Sequence, residues 1–359
     1  RRWSAGTEVV VAEWARAHRA GVVRLLPAVT VEHAPPRTTE PDLLATYVAH
    51  ERLTLPERVL AVVPEARIVT RHGLVRDADG RFLATHEEPG VLGSELVAKE
   101  LASVTATVRH DGDWCSLVAS WPRSHYHFLH DAATRLPGLL DRLPSGTRFV
   151  VSPETPVSHH EVLLAFGIPA DRVATIPRGE EWQFERLHVV SPAAYAGHDR
   201  AELDRAVRDR MLDHFGITFG RPTRRVFLSR RRQQRRVVNE NAVVALLEPF
   251  GFEAIVPEEL SLRDQVALFA ETEIVVSNHG SAFTGALFAP PGLVLVDAVD
   301  PQMEHCAHVF WSLCGALGHE YWFLRADRAP NPNARRDDVD IPLHRLAATL
   351  EAAGIARRA

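Results

Sequence analysis

The clearest pattern in the chain is a repeated alternation in its second half. Short apolar runs end in polar turns, and helical periodicity follows each. Residues 226–229, 253–257, 273–277, 293–297 and 320–324 read as strands. Residues 239–250, 261–270, 281–288, 303–317 and 342–353 read as helices, the second opened by the capping pattern Ser261-Leu-Arg-Asp264. Strands that alternate with helices in this way predict a parallel sheet of the doubly wound type.

The first half is less regular. A helix is expected within 3–26, a Pro-rich loop over 34–41, and short strands over 66–85 that turn at Asp77-Ala-Asp-Gly80. Strands follow at 116–120, 147–152, 172–176 and 187–190. Between them lie a helix over 125–136, capped by Ser124 and continued from Pro137, and a helix over 159–166 stopped by Gly167 and Pro169. An amphipathic helix over 200–215 precedes a boundary placed between 195 and 220. The division expected is therefore 1–205 (with 1–60 poorly defined), 206–330, and a loop plus final helix over 331–359.

Composition narrows the class without choosing a function. The chain of 359 residues is 46% hydrophobic and 24% charged, which suits a two-domain globular protein. A net charge of −5 gives no general reason to expect nucleic-acid binding. Cys115, Cys306 and Cys314 fall in no CxxC spacing, so a disulfide framework is not expected and a reducing compartment fits. No apolar run has the length of a membrane span, and the first residues lack the apolar core of a signal peptide. A cytoplasmic protein is the expectation, with peripheral membrane association left open.

Three stretches could carry chemistry. The first is the turn His279-Gly280-Ser281, between a predicted strand and a predicted helix. A strand's carboxyl end and a helix N-terminus together favour an anion, phosphate above all. Gly280 permits close backbone approach, Ser281 and Thr284 offer hydroxyls, and His279 can donate to a phosphate or ribose oxygen. The second is the run from Phe227 to Glu240, in a stretch where seven arginines fall from Arg224 to Arg236. Guanidinium forks suit a diphosphate, and Asn239 and Glu240 can cap the next helix. The third is Ser124-His-Tyr-His-Phe-Leu-His-Asp131. In a helix His127 and Asp131 are neighbours, and a carboxylate beside a histidine sets its tautomer and basicity for general-base work. A metal site from His125, His127, His130 and Asp131 fits poorly, because helical geometry points His125 and His127 apart. Each stretch also has a plain alternative: an empty turn, a solvated basic loop, and a histidine-rich surface helix.

In this order the three stretches resemble glycosyltransferase family 61, and its bacterial, capsular-polysaccharide-type members in particular. His127-Phe-Leu-His-Asp131 is similar to the family's His-Trp-Leu-Leu-Asp. Ser229-Arg230 and Arg235-Arg236-Val-Val-Asn239-Glu240 resemble its Ser-Arg and Arg-pair-Asn-Glu. The run from His279 to Thr284, followed by Phe288-Ala-Pro-Pro-Gly292, resembles its His-Gly-Ala-Gly-Leu-Thr turn. Departures stand at His125, Ser281 and Gly285, the last where the family has Asn.

The resemblance implies an α/β, GT-B-like protein of two Rossmann-like domains facing each other across a cleft. It implies an inverting transferase that uses a nucleotide-sugar donor and no metal or other cofactor. Ser229, Arg230, Arg235, Arg236, Asn239, Glu240, His279, Gly280, Ser281 and Thr284 are the expected donor-site residues. His127 is the candidate base, oriented by Asp131, or the reverse. The acceptor is a glycan, a lipid-linked glycan or a small molecule. Two rivals remain at this point. One is an acyltransferase using His127 and Asp131, although Ala132 stands where a Gly usually follows. The other is a non-catalytic nucleotide- or glycan-binding protein, suggested by Gly285.

Overall fold

The computed structural model describes residues 9–18, 21–69, 73–85, 99, 101–118, 121, 123–152, 154–192, 197–198, 200–329 and 338–358. The chain divides into two compact units: Arg1–Thr30 with Thr54–Arg210, and Val31–Leu53 with Met211–Ala359. The break thus falls inside the Ala201–Phe215 helix.

The second unit is built on six parallel strands. Their spatial order is Phe252–Ile255, Arg224–Leu228, Thr272–Asn278, Val294–Val299, Glu320–Arg325 and Arg37–Thr38. Val226, Phe227, Leu228, Val275, Val276, Leu295 and Val296 are all buried. Apolar runs of this kind, without strict alternation, belong to strands covered on both faces. Ser261 opens the Leu262–Ala270 helix as expected, accepting from the Asp264 N–H at 3.1 Å. The five later strands lie in chain order 2-1-3-4-5. Connections leave the sheet in opposite directions on either side of the neighbouring 224–228 and 272–278 strands. That pair is the topological switch point, outside whose carboxyl ends ligands bind in doubly wound sheets.

Two segments sit differently from the expected division. Residues 31–53 group with the second unit, because Arg37–Thr38 pairs alongside Trp322 and Phe323, and Thr38 Oγ1 donates to the Phe323 carbonyl at 2.9 Å. The 331–359 segment belongs there too, its Leu343–Ala352 helix burying Leu346 and Leu350 in the same core as Val276 and Val296. The expected 327–340 loop contains a short antiparallel pair, Asp327–Arg328 with Val339–Asp340; residues 330–337 lie outside the described residues.

The first unit departs from a simple parallel layer. Its sheet is mixed. Glu180–Val190, Ala106–Ser116, Arg148–Val151 and Val173–Thr175 run parallel. Arg58–Val69 pairs antiparallel to Glu180–Val190 and to both Val22–Leu26 and Leu74–Arg76. The Asp77–Gly80 turn forms, with the Gly80 N–H donating to the Asp77 carbonyl at 3.0 Å. It joins Leu74–Arg76 to Phe82–Ala84 in an antiparallel hairpin. Such a hairpin needs no crossover helix, so Arg58–Val69, Leu74–Arg76 and Phe82–Ala84 pair antiparallel, and Val9–Val10 adds to the edge parallel to Phe82–Ala84. The expected strand over 116–120 is only the end of Ala106–Ser116, with residues 119–120 outside the described residues. The 3–26 helix is shorter, Val11–Ala17, and the strand Val22–Leu26 follows it. The protein is thus α/β, with one fully parallel sheet and one mixed sheet.

Candidate functional site

At the switch point, the 224–228 strand runs directly into the arginine loop. Ser229 continues the sheet with an N–H···O bond to Ile255 of 2.7 Å, and its hydroxyl donates to Glu240 at 2.8 Å. Glu240 therefore anchors the loop's first residue. Arg230 then folds across Gly280. A Cβ added at Gly280 would stand 1.7 Å from Arg230 Nη1, so only glycine leaves room for the guanidinium there. Arg230 Nη2 donates to the Gln234 carbonyl at 3.1 Å, while Nε has no hydrogen-bond partner among the described residues. Burial, then the charge of Arg235, pulls the Arg230 guanidinium down to about 10. A desolvated cation beside another cation is an arrangement that an anion would stabilise.

Arg235 reaches the same turn from the far end of the loop. Its backbone is left-handed, at φ 57°, a conformation that costs a side-chain-bearing residue about 1 kcal/mol. Asn278 Nδ2 donates to the Arg235 carbonyl at 2.9 Å and holds it there. Its Nη1 donates to the His279 carbonyl at 2.9 Å and lies 3.5 Å from Asp300 Oδ2. Strain of this sort, kept in place by its surroundings, gathers at functional sites.

The other arginines of the run are employed elsewhere. Arg224 and Arg225 pair with Glu253 and Glu273, and Arg231 and Arg232 with Glu259. Arg236 makes a multidentate pair with the buried Asp338, at 2.6 Å for Nη2 to Oδ2. Asn239 exchanges both amide bonds with the Ile341 backbone, donating at 2.8 Å and accepting at 3.1 Å, and does not cap the helix that begins at Glu240. Arg236 and Asn239 thus clamp the 338–341 segment beneath the loop, instead of presenting these groups to a ligand.

His279 also faces inward. Its Nδ1 is 2.7 Å from Asp297 Oδ2, with the side chains 4% and 0% exposed, and its Nε2 is 3.9 Å from Cys306 Sγ. Burial alone would lower the imidazole, but the Asp297 charge and hydrogen bond outweigh it and raise His279 to about 9. Tyr321 donates to the same Asp297 oxygen at 2.9 Å, and its own hydroxyl is 2.9 Å from that of Tyr47. His279 therefore shapes the turn through a buried ion pair and meets the arginine loop through its carbonyl. Ser281 is half-buried at the start of the Ser281–Phe288 3-10 helix, and Thr284 is fully buried. Gly285 has a packing reason: a Cβ there would lie 1.9 Å from the Phe269 ring.

In the first unit the expected 125–136 helix is irregular. His125–His127 is one α-helical turn, Phe128–Ala132 a π-helical turn and Ala133–Arg135 a 3-10 turn. Ser124 caps it, its hydroxyl accepting from the His127 N–H at 3.5 Å. A π turn within a helix frequently marks a functional position. Here it carries His127 Nδ1 to 2.8 Å from Asp131 Oδ2, with the side chains 24% and 11% exposed. The neighbouring histidines differ. His130 is fully buried 3.4 Å from Asp204, and burial, then His130, lowers His125 to about 4. Arg135 turns inward, toward the carbonyls of Val118 and Thr85.

The structure thus gathers Ser229, Arg230, Arg235, Glu240, His279, Gly280 and Ser281 around one turn, and pairs His127 with Asp131. Sequence reading missed Asp297, Asn278 and Asp300. Asp297 carries a visible signal, a lone carboxylate within the otherwise apolar strand Val294–Val299. A further His-carboxylate group, His18, Asp77 and Asp79, is close enough to share a metal. The Arg81 guanidinium already lies among them, 2.8 Å from His18 Nε2 and 3.3 Å from Asp79 Oδ2.

Comparison with known proteins bears on this geometry. Residues 125–296 match the family model described as Glycosyltransferase 61. The matched region takes in His127, Asp131, the arginine loop and the His279 turn. A curated relative, the EGF domain-specific O-linked N-acetylglucosamine transferase of Drosophila melanogaster, is 27% identical over 116 residues. The match covers 31% of this chain and spans 22% of the length of that relative. Both matches support a glycosyltransferase. Among the described residues, no helix is long and apolar enough to cross a membrane.

Proposed function

We propose that this chain is an inverting, metal-independent glycosyltransferase of the GT-B type, which moves a sugar from a nucleotide-sugar to a hydroxyl acceptor. The observation that carries the reading is the convergence of Arg230 and Arg235 on the His279-Gly280 turn at the switch point. In this reading the second unit holds the diphosphate. Arg230, Arg235 and the N-terminal end of the Ser281–Phe288 helix neutralise it as it leaves, in the role a metal plays elsewhere. The first unit serves the acceptor. Asp131 fixes His127 Nδ1, so Nε2 takes the proton of the acceptor hydroxyl. The acceptor oxygen bonds to the anomeric carbon as the bond to the diphosphate breaks, the diphosphate keeping the electron pair, and the configuration inverts.

The acceptor in this reading is a glycan, a lipid-linked glycan or a small molecule. A nucleotide-linked N-acetylglucosamine is the first donor to assay, on the strength of that relative's name. A cytoplasmic setting goes with the reading, since Cys115, Cys306 and Cys314 are free thiols. The packing of Gly285 on Phe269 accounts for the residue that suggested a non-catalytic protein.

Thermal shift with nucleoside diphosphates and with coenzyme A tests the reading. Nucleoside diphosphates should raise the melting temperature and coenzyme A should not. Arg230→Ala and Arg235→Ala should each weaken the nucleotide effect about ten-fold or more, since each removes a charge-assisted contact. Stabilisation by coenzyme A alone overturns the reading in favour of acyl transfer. Nucleotide binding with no turnover of any nucleotide-sugar overturns it in favour of a binding protein.

A further inference from the structure

Large aromatic side chains carry the greatest apolar area and are normally covered. Trp14, Trp114, Trp182, Trp311 and Trp322 obey this and are all buried. Trp121 does not: it is 47% exposed. It also stands beside the partly buried histidine-carboxylate pair, its ring centroid 6.3 Å from that of His127 with the planes inclined by 42°.

The two side chains belong to one local device. The Trp121 carbonyl accepts from the Ser124 N–H at 2.9 Å, closing the turn that leads into the helical segment. The Ser124 hydroxyl in turn caps that segment at the His127 N–H. The backbone that presents the indole is thus the backbone that fixes the imidazole. Asp131 occupies Nδ1 of His127, so Nε2 is the nitrogen left to meet a hydroxyl.

We infer that Trp121 is the platform for the acceptor and that the acceptor presents a pyranose ring to it. A pyranose has an apolar face of C–H bonds and a rim of hydroxyls. A half-exposed indole matches the former, and a base at the platform's edge matches the latter. An acyclic polyol or a phosphate offers no flat apolar face. The inference rests on the transferase reading and narrows its acceptor class.

Saturation-transfer NMR on the whole protein tests it, with methyl β-D-glucoside, methyl β-D-galactoside, methyl α-D-mannoside and methyl β-D-xyloside as probes and mannitol as the acyclic control. At least one pyranoside should take up saturation through its ring C–H protons, and mannitol should not. Trp121→Ala should weaken that binding about five- to ten-fold, the size of one aromatic stacking contact. Trp121→Phe should restore most of it. An unchanged melting temperature in both variants ensures that folding is not what is read. Equal transfer in wild type and Trp121→Ala, transfer to mannitol, or no transfer to any pyranoside overturns the platform. Nucleoside diphosphate shifts in the wild-type protein report separately on the transferase reading. If those are present and the pyranosides fail, only the platform falls; if they are absent, the broader reading falls with it.

Discussion

Two of the molecule's histidine-aspartate pairs are nearly equal in length, 2.7 Å for His279 with Asp297 and 2.8 Å for His127 with Asp131. Their settings differ in almost every other respect. The first joins adjacent parallel strands, is sealed from water, and is fastened further by the Tyr321 hydroxyl. The second links an α-helical turn to the π-helical turn that follows it and keeps access to solvent. Hydrogen-bond geometry alone cannot separate a structural pair from a reactive one. Burial does, because a sealed ion pair is fixed in its charge state while an accessible one can exchange a proton with a substrate.

That contrast can be broken first through rate. Replacing His127 by Ala, or Asp131 by Asn, should lower sugar transfer by about 10²–10⁴-fold, the usual contribution of a positioned base, with little change in melting temperature. Full turnover in both variants would dissolve the distinction between the pairs. The converse experiment is Asp297→Asn, which leaves a buried imidazole without its counter-charge. Unfolding in urea should show a loss of about 3–5 kcal/mol. Asp131→Asn, at a partly exposed pair, should lose about 1 kcal/mol or less.

The pH dependence of stability sharpens the same point. His279 is raised from 6.5 to about 9 in the folded protein, so the folded state holds its proton more tightly than the unfolded chain. Its stabilising contribution is complete below pH 6.5 and is lost as pH rises through about 9. The urea midpoint should therefore fall between pH 6.5 and 9 in the wild type, and this component of the fall should vanish in Asp297→Asn. A smaller pair of effects separates the turn's two glycines. Gly285→Ala should cost about 1–3 kcal/mol by overpacking against Phe269. Gly280→Ala should leave stability nearly unchanged, because the Arg230 guanidinium can swing away, but should weaken nucleotide binding.

The second unit was legible because its elements are local. Five apolar runs, each closed by a turn and followed by a helix, specify strands and order without distant information. The arginine loop was legible as a cluster, but the roles within it were not. Arg235 and Arg236 are adjacent in sequence, yet one meets the His279 carbonyl and the other pairs with Asp338, a residue 102 positions away. His279 misled in the same way, since Asp297 sits on the next strand. The first unit was harder for a related reason. Its antiparallel pairing of Arg58–Val69 with Glu180–Val190 spans over a hundred residues of chain, and the π turn at 128–132 has no signature in hydrophobic spacing. The π turn nonetheless preserves the predicted contact of His127 with Asp131.

The left-handed backbone of Arg235 sets stability and activity against each other at one position. Glycine would relieve the conformation and serve the fold better, while only arginine supplies the guanidinium. A population selected for heat resistance alone would drift toward glycine there and, in the transferase reading, lose its grip on the donor without any visible change in architecture. One selected on turnover would keep the arginine and carry the strain in every generation.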